Sequence, residues 1–318
     1  MPASRRNVLV KAGISLAVLT AIVAALWWWA ADRDTVHAYA GPSPPAPAAV
    51  GAARPVNVAL VLGGGGPRGF AHIGVLKVLE REGIAPDLIV GSSMGALIGV
   101  LYGANPDAKA LAAFAIDAPL MSWRDLTWVR SPWLKGDQLE HMLRERLGVA
   151  RLESLPIPAV AVVTDVSRGE PVALAQGDAA LAVRASAAVP GTFKRVAIAG
   201  TEYFDGDISA PVPVRVARRA GAKIVIAVDV MCHPSEMIEV MRDYPELILS
   251  DYYRHAINLR ELPEADLVIA PRLGLYAGYS REERIRFIAI GEAAAEAALP
   301  ELKRRLGIEP KTPSRIPP

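Results

Sequence analysis

Downstream of residue 55 the apolar positions of this chain alternate between two spacings. Short β-branched runs at 57–62, 88–90, 159–164, 171–175, 223–229 and 266–270 read as strands. Between them apolar residues recur every three or four positions, as Phe70, Ile73, Leu76 and Leu79 do, and this spacing predicts helices over 69–82, 94–102, 107–116, 137–147 and 213–220. All but one of these helices have a glycine stop: Gly83, Gly103, Gly148 and Gly221, while the helix at 107–116 starts after Pro106. Two further helices are expected at 235–260 and 280–298, the second with Ile285, Ile288, Ala289, Glu292 and Ala293 at helical spacing. Strands that alternate with helices in this way predict an α/β domain around a largely parallel sheet.

The first forty residues follow a different pattern. Ala12 to Ala31 is a stretch of twenty residues without a charge, and Arg5, Arg6 and Lys11 lie only on its N-terminal side. As a helix it is about 30 Å long, enough to cross a bilayer core, and Trp27, Trp28 and Trp29 suit the far interface. Against a permanent anchor stand Ala38-Tyr39-Ala40, which has the small-x-small form of a cleavage site, and Ser4-Arg5-Arg6, which resembles the start of a twin-arginine export signal. Residues 1–40 are therefore expected to be an anchor or a cleaved signal. Either reading puts the rest of the chain in the periplasm or on the outer face of the cytoplasmic membrane. Residues 41–54, rich in Pro and Ala, are expected to be an extended tether reaching up to about 40 Å.

Composition narrows the chemistry. The 318 residues carry 35 basic and 33 acidic side chains, far from the basic excess of a nucleic-acid binder, so no nucleic-acid partner is expected. Hydrophobic residues make up 52%, which excludes a disordered chain, and the lone Cys232 excludes an internal disulfide framework or a Cys-rich metal site. Nothing in the composition signals an oligomeric state.

Two glycine motifs sit where strands give way to helices. Gly63-Gly64-Gly65-Gly66-Pro67-Arg68-Gly69 follows the first strand, and its glycines let the backbone turn tightly and present free N–H groups at a helix N-terminus, an anion cradle. The GxGxxG within it (Gly64, Gly66, Gly69) also suits a dinucleotide, but that reading wants an acidic residue at the end of the second strand. The second strand instead runs into Gly91-Ser92-Ser93-Met94-Gly95, a GxSxG between a buried strand and an apolar helix, the context of a nucleophile elbow. Ser93 is the candidate nucleophile, with Gly91 and Gly95 permitting the bend and Ser92 read as a backbone-bonding turn residue. The upstream cradle supplies the amide donors that an acyl-transfer serine requires.

A serine needs a base. Of the five histidines, His233 and His255 follow Ser93 in the order of a Ser-Asp-His triad, yet His233 precedes a proline and His255 sits in a charged helical stretch with Arg254 and Arg260. The alternative is the apolar-flanked acidic turn Tyr203-Phe204-Asp205-Gly206-Asp207, where a desolvated Asp205 takes the serine proton directly.

The glycine run 64–69, the elbow 91–95 and Asp205-Gly206, in that order and spacing, resemble the patatin-like phospholipase family. Residues 71–76, Thr164-Asp165 and 185–191 match its bacterial members as well, so the resemblance spans about residues 57–298. It implies a three-layer α/β/α fold with a mostly parallel sheet over 55–300, followed by a tail at 301–318. It also implies a Ser93–Asp205 dyad without histidine, an oxyanion hole of backbone N–H groups around Gly65, Gly66 and Arg68, and hydrolysis of lipid acyl esters with neither metal nor cofactor. One position departs from the family's pattern: Asp207 stands where Gly or Ala usually follows Asp-Gly. The expectation is that its carboxylate raises the basicity of Asp205 or simply points to solvent.

The segment 121–134 carries Trp123, Trp128 and Trp133 among basic residues, a mixture that suits a membrane interface, a lid over an acyl site, or an ordinary core. A lipid ester at a membrane surface is the expected substrate. Arg68 is expected to steer an anionic head group or to orient its own loop. A non-catalytic membrane-tethered scaffold on the same fold is the competing reading.

Overall fold

The computed structural model describes residues 36–37, 55–118, 134–231, 245–274 and 278–308. The apolar stretch 12–31, the tether 41–54, the tryptophans of 121–133 and His233 lie outside the described residues.

One sheet organises the rest. In chain order its strands are β1 (Val36–His37), β2 (Val58–Leu62), β3 (Leu88–Ser92), β4 (Ala159–Asp165), β5 (Pro171–Leu174), β6 (Arg195–Ile198), β7 (Thr201–Asp205), β8 (Ile224–Val228) and β9 (Leu267–Ile269). They lie in the order β1-β6-β7-β4-β3-β2-β8-β9, with β5 also pairing with β4. The stretch β4-β3-β2-β8-β9 is parallel throughout, and antiparallel pairing begins where β7 and β5 meet β4. The parallel strands are buried on both faces, which explains their near-continuous apolar runs. Alternate residues serve different cores: Leu60 and Leu62 of β2 join the larger one, and Ala59 and Val61 the smaller.

Helices cover both faces. Those packed on the larger core are α1 (Ala71–Arg81), α2 (Met94–Ala104), α3 (Ala108–Asp117), α4 (Asp137–Leu147), α5 (Ala179–Ser186) and, across α1, α8 (Arg281–Arg305). On the other face α6 (Val214–Arg219) buries Val214, Val216 and Ala217 against Ala59, Val61 and Val225. Helix α7 (Pro245–Glu261) runs between β8 and β9 in the chain. The architecture is thus the expected α/β/α sandwich.

Four features differ from the periodicity reading. The expected helix 69–82 is split, with a 3-10 turn at Gly66–Phe70 leading into α1. The last helix passes through Pro300 and ends at Arg305, so the first residues of the expected tail are helical; Ser280 and Glu283 form its capping box. Helix α5 and the hairpin β6–β7 have no counterpart among the expected elements. In α5 only Leu181 and Val183 are large apolar residues, so no amphipathic period marks it, although the Asp178 side chain caps it by accepting from the Leu181 N–H. The hairpin turns at Ala199 and Gly200, both at positive φ (50° and 81°), which is the conformation of a tight two-residue turn between antiparallel strands.

Candidate active site

Sheet register brings the two candidate residues together. Ser92 ends β3 opposite Val162 of β4, and Asp205 ends β7 opposite Val163 of the same strand. The two flanking strands are about 10 Å apart across β4, a gap that two short side chains span from the same level. Ser93 is the next residue, at φ 52° and ψ −121° between β3 and α2, a positive φ that is uncommon for a residue with a side chain. Its Oγ donates to Asp205 Oδ2 at 2.7 Å, and its N–H donates to Ser186 Oγ at 3.0 Å. Ser186 in turn donates to the Val162 carbonyl at 2.6 Å, so α5 ties the elbow to the neighbouring strand.

Close approach decides two of the motif glycines. A Cβ on Gly95 would stand 2.0 Å from the Leu62 carbonyl oxygen, and one on Gly206 would stand 2.1 Å from that of Val162. Gly206 also lies over Ser92, whose buried hydroxyl makes no hydrogen bond among the described residues, contrary to the turn role expected of it. Gly91 is the penultimate residue of β3, and Gly69 lies in the 3-10 turn.

Asp205 is 2% exposed. Its Oδ1 accepts from the Asp207 N–H at 2.8 Å, and its carbonyl accepts from Thr164 Oγ1 at 2.7 Å. Burial pushes its carboxyl up to about 7, against the opposing effects of the Ser93 hydrogen bond and the Arg254 charge. A carboxylate held in this range has the basicity that proton transfer near neutral pH demands.

The glycine loop is anchored at both ends. The Gly63 and Gly64 amides donate to the carbonyls of Val228 (3.0 Å) and Pro211 (2.8 Å), and the Arg68 amide donates to the Gly65 carbonyl at 3.2 Å. Pro67 has no N–H, so within 63–68 the Gly65 and Gly66 amides alone make no hydrogen bond among the described residues, whereas that of Arg68, expected beside them in the oxyanion hole, is taken by Gly65. The Arg68 guanidinium is turned inward and forms a bidentate pair with Asp251 of α7 at 3.1 and 3.3 Å, which supports the loop-orienting role and not head-group steering. Beneath the loop His72 is fully buried with Nε2 2.7 Å from the Gly63 carbonyl, and burial lowers its pKa to about 4, so the neutral ring donates there at ordinary pH.

Asp207 does not point to solvent. Its Oδ2 pairs with Nη2 of Arg254, a residue that reaches the site from α7, and both side chains are largely buried. His255 lies on the same helix but makes no hydrogen bond to Ser93 or Asp205, whose own bond is closed between the two. The sequence reading missed the roles of Ser186, His72, Asp251 and Arg254. The i, i+3 spacing of Asp251 and Arg254 on one helix face was the only available hint.

A cavity of about 280 Å³ opens beside Ser93 and runs along α2, where Met94, Leu97, Ile98 and Leu101 line it at helical spacing. Phe114 of α3 and Met142 of α4 close its sides, and Val189 and Tyr279 are exposed residues on its wall. Its lining is largely apolar apart from the end next to the Ser93 hydroxyl, a shape suited to an apolar chain.

Comparison with known proteins adds to this geometry. The family model for patatin-like phospholipases matches residues 60–218. An uncharacterized NTE family protein of Mycobacterium tuberculosis is 36% identical over 193 residues, covering 58% of this chain and 52% of that one. A lysophospholipase of Aspergillus fumigatus is 33% identical over 180 residues, covering 54% of this chain but 12% of its own length. The chain therefore spans about half the length of the mycobacterial relative and a small part of the fungal one. Among solved structures, VipD from Legionella pneumophila superposes with a TM-score of 0.44 at 14% identity, over 77% of this chain and 66% of that one.

Proposed function

Because this chain belongs to the patatin-like phospholipase family, we propose that it is a serine lipid acyl hydrolase in which Ser93 is the nucleophile and Asp205 the general base. The 2.7 Å hydrogen bond from Ser93 Oγ to Asp205 Oδ2, at a strained elbow above an apolar cavity, is the observation that carries this reading.

In the first half-reaction Ser93 Oγ attacks the ester carbonyl carbon while its proton passes to Asp205 Oδ2. The negative charge that develops on the carbonyl oxygen falls to the Gly65 and Gly66 amides, and losing one such donor typically costs about 3 kcal/mol. Collapse breaks the ester C–O bond, the leaving alkoxide takes the proton from Asp205, and the acyl group stays on Ser93. Water then attacks the acyl-enzyme with Asp205 again as base, and a fatty acid leaves. The buried carboxyl must be ionised at the start, so kcat/KM falls tenfold for each pH step below about 7.

The cavity favours one acyl chain lying along α2, and the exposed Val189 and Tyr279 on its wall suit contact with a lipid surface. The uncharged stretch 12–31 and the Pro-rich tether would hold the domain at that surface, on the exported side of the cytoplasmic membrane. The test is fatty-acid release by the full-length protein from vesicles of phosphatidylcholine, from lysophosphatidylcholine and from short nitrophenyl esters. Ser93→Ala and Asp205→Asn are expected to lose at least a thousandfold on every substrate they share with the wild type, and His255→Ala to keep most of its rate. Hydrolysis that survives Ser93→Ala, or vanishes in His255→Ala, overturns the reading.

A further inference from the structure

Four buried charges of alternating sign run from the glycine loop to the turn that carries Asp205. Arg68 pairs with Asp251 at 3.1 Å, Asp251 with Arg254 at 3.2 Å, and Arg254 with Asp207. Their side chains are between 7% and 16% exposed. Two cations and two anions sum to zero, so the row is a neutral strut and offers no net charge to a substrate.

The placement of Asp207 gives this strut a second role. Its N–H is bonded to Asp205 Oδ1, and its side chain folds back over the glycine loop, with Oδ1 2.6 Å from where a Cβ on Gly64 would stand. Only a glycine at 64 leaves room for it. Asp205 therefore has a guanidinium near enough to influence its ionisation, yet its Oδ2 is bonded to Ser93 and not to that guanidinium. A bare carboxylate beside a free buried guanidinium would form an ion pair with it, and Ser93 would lose its acceptor.

We propose that Asp207 and Arg254 are positioning residues for the base: Asp207 tethers the Arg254 guanidinium so that Asp205 keeps Ser93 as its side-chain partner while still feeling the arginine's charge. The proposal rests on Asp205 being the base. The groups bonded to Asp205 are Ser93 from the elbow, Thr164 from β4 and Asp207 from its own turn. Ser186 and Ser209 stand one hydrogen bond further out, on Ser93 and Thr164, Arg254 from α7 acts on the carboxyl through its charge, and Asp251 and Arg68 continue the row beyond Arg254. Asp165, two residues further along β4 than Val163, is turned onto Ser167 and Arg168. Arg254 is thus the cation whose removal acts on the base.

The two single variants then move the pH profile in opposite directions. In Arg254→Gln the base loses a favourable charge and is left beside an unpaired Asp207, so the acid limb of kcat/KM rises by about 1 to 3 pH units, the usual influence of a near charge on a carboxyl. In Asp207→Asn the guanidinium keeps Asp251 on Nη1 but loses the anion on Nη2, so Nη2 turns onto Asp205, the limb falls below that of the wild type, and kcat drops at least tenfold because Ser93 is left without its acceptor. Arg254→Lys keeps the charge and holds the limb within half a unit of the wild-type position.

The experiment is the pH dependence of short-ester hydrolysis by the full-length protein and these three variants, each first shown to unfold cooperatively by circular dichroism. A parallel readout independent of turnover is the difference in urea stability between each variant and its Asp205→Asn counterpart from pH 4.5 to 9.5, which follows the titration of Asp205 directly. Limbs and titrations of all three folded variants within 0.3 units of wild type overturn the proposal, as does a shift of both single variants in the same direction. If instead the wild-type rate survives Ser93→Ala, the assignment of nucleophile and base has failed, and the stability titration still reports whether Arg254 acts on Asp205.

Discussion

Asp205→Asn should make the protein more stable at alkaline pH while abolishing its activity. The buried carboxyl moves from an ordinary value of 3.8 up to about 7, so keeping it ionised in the fold costs about 4 kcal/mol at 1.36 kcal/mol per pH step. The sign follows from a folded value that lies above the unfolded one. Stability due to this group is fully present below pH 3.8 and is lost as pH rises through about 7, after which the loss is constant. An asparagine does not titrate and escapes that loss. It introduces one of its own, because with its oxygen toward Ser93 its NH₂ faces the Asp207 N–H that now bonds Oδ1, a mismatch worth about 1–3 kcal/mol at every pH.

The change of the difference with pH is free of that constant offset. Between pH 4.5 and pH 8.5 the stability of Asp205→Asn relative to wild type should rise by about 3 kcal/mol. For a domain of this size the same change is on the order of 10 °C in relative Tm. Urea unfolding of the full-length wild type and variant at the two pH values, followed by circular dichroism, measures it. A difference that stays flat across this range, or that turns against the variant as pH rises, would show that the carboxyl is not held in a desolvated site and would remove the physical basis for its action as a base.

Three further outcomes follow from the packing. Gly95→Ala places a methyl 2.0 Å from the Leu62 carbonyl, so it should destabilise by upwards of about 3 kcal/mol, seen as a lower urea midpoint together with lost esterase activity. Ser186→Ala removes the acceptor of the Ser93 N–H and the donor to Val162; a stability loss of about 1–3 kcal/mol with a lower kcat is expected, and an unchanged midpoint would count against the brace. Leu101→Trp blocks the cavity about 10 Å along α2 from Met94, so kcat/KM should fall at least tenfold for long-chain esters and remain close to wild type for acetyl esters; equal effects on both chain lengths would refute the placement of the acyl chain.

Much of this protein was legible in its sequence because the relevant physics is local. The parallel strands betray themselves as continuous apolar runs, since both their faces are buried. The elbow 91–95 and the loop 63–69 can be read because tight bends and close backbone approaches admit only glycine, and glycine is visible in one dimension. Asp205 was a candidate base in the sequence through its apolar-flanked acidic turn and through the family resemblance. What brings that carboxyl to Ser93 is the pairing of β7 with β4 through a hairpin that the apolar pattern does not announce.

The tertiary structure alone decided which groups surround the candidate site. His72 is an unremarkable helix residue until burial makes its ring neutral and the loop carbonyl comes within 2.7 Å. Asp207, Asp251, Arg254 and Arg68 are charges scattered over nearly two hundred positions, as exposed side chains would be in any solvated helix or turn. Here they meet in one buried row because α7 folds back over the glycine loop. The basicity of Asp205 has the same origin: the residue type sets the ordinary value, and the removal of water by distant segments moves it to about 7. Spacing along the chain encodes turns and periods, whereas desolvation and charge pairing depend on which segments meet, and that is settled only when the sheet and its two helical layers close.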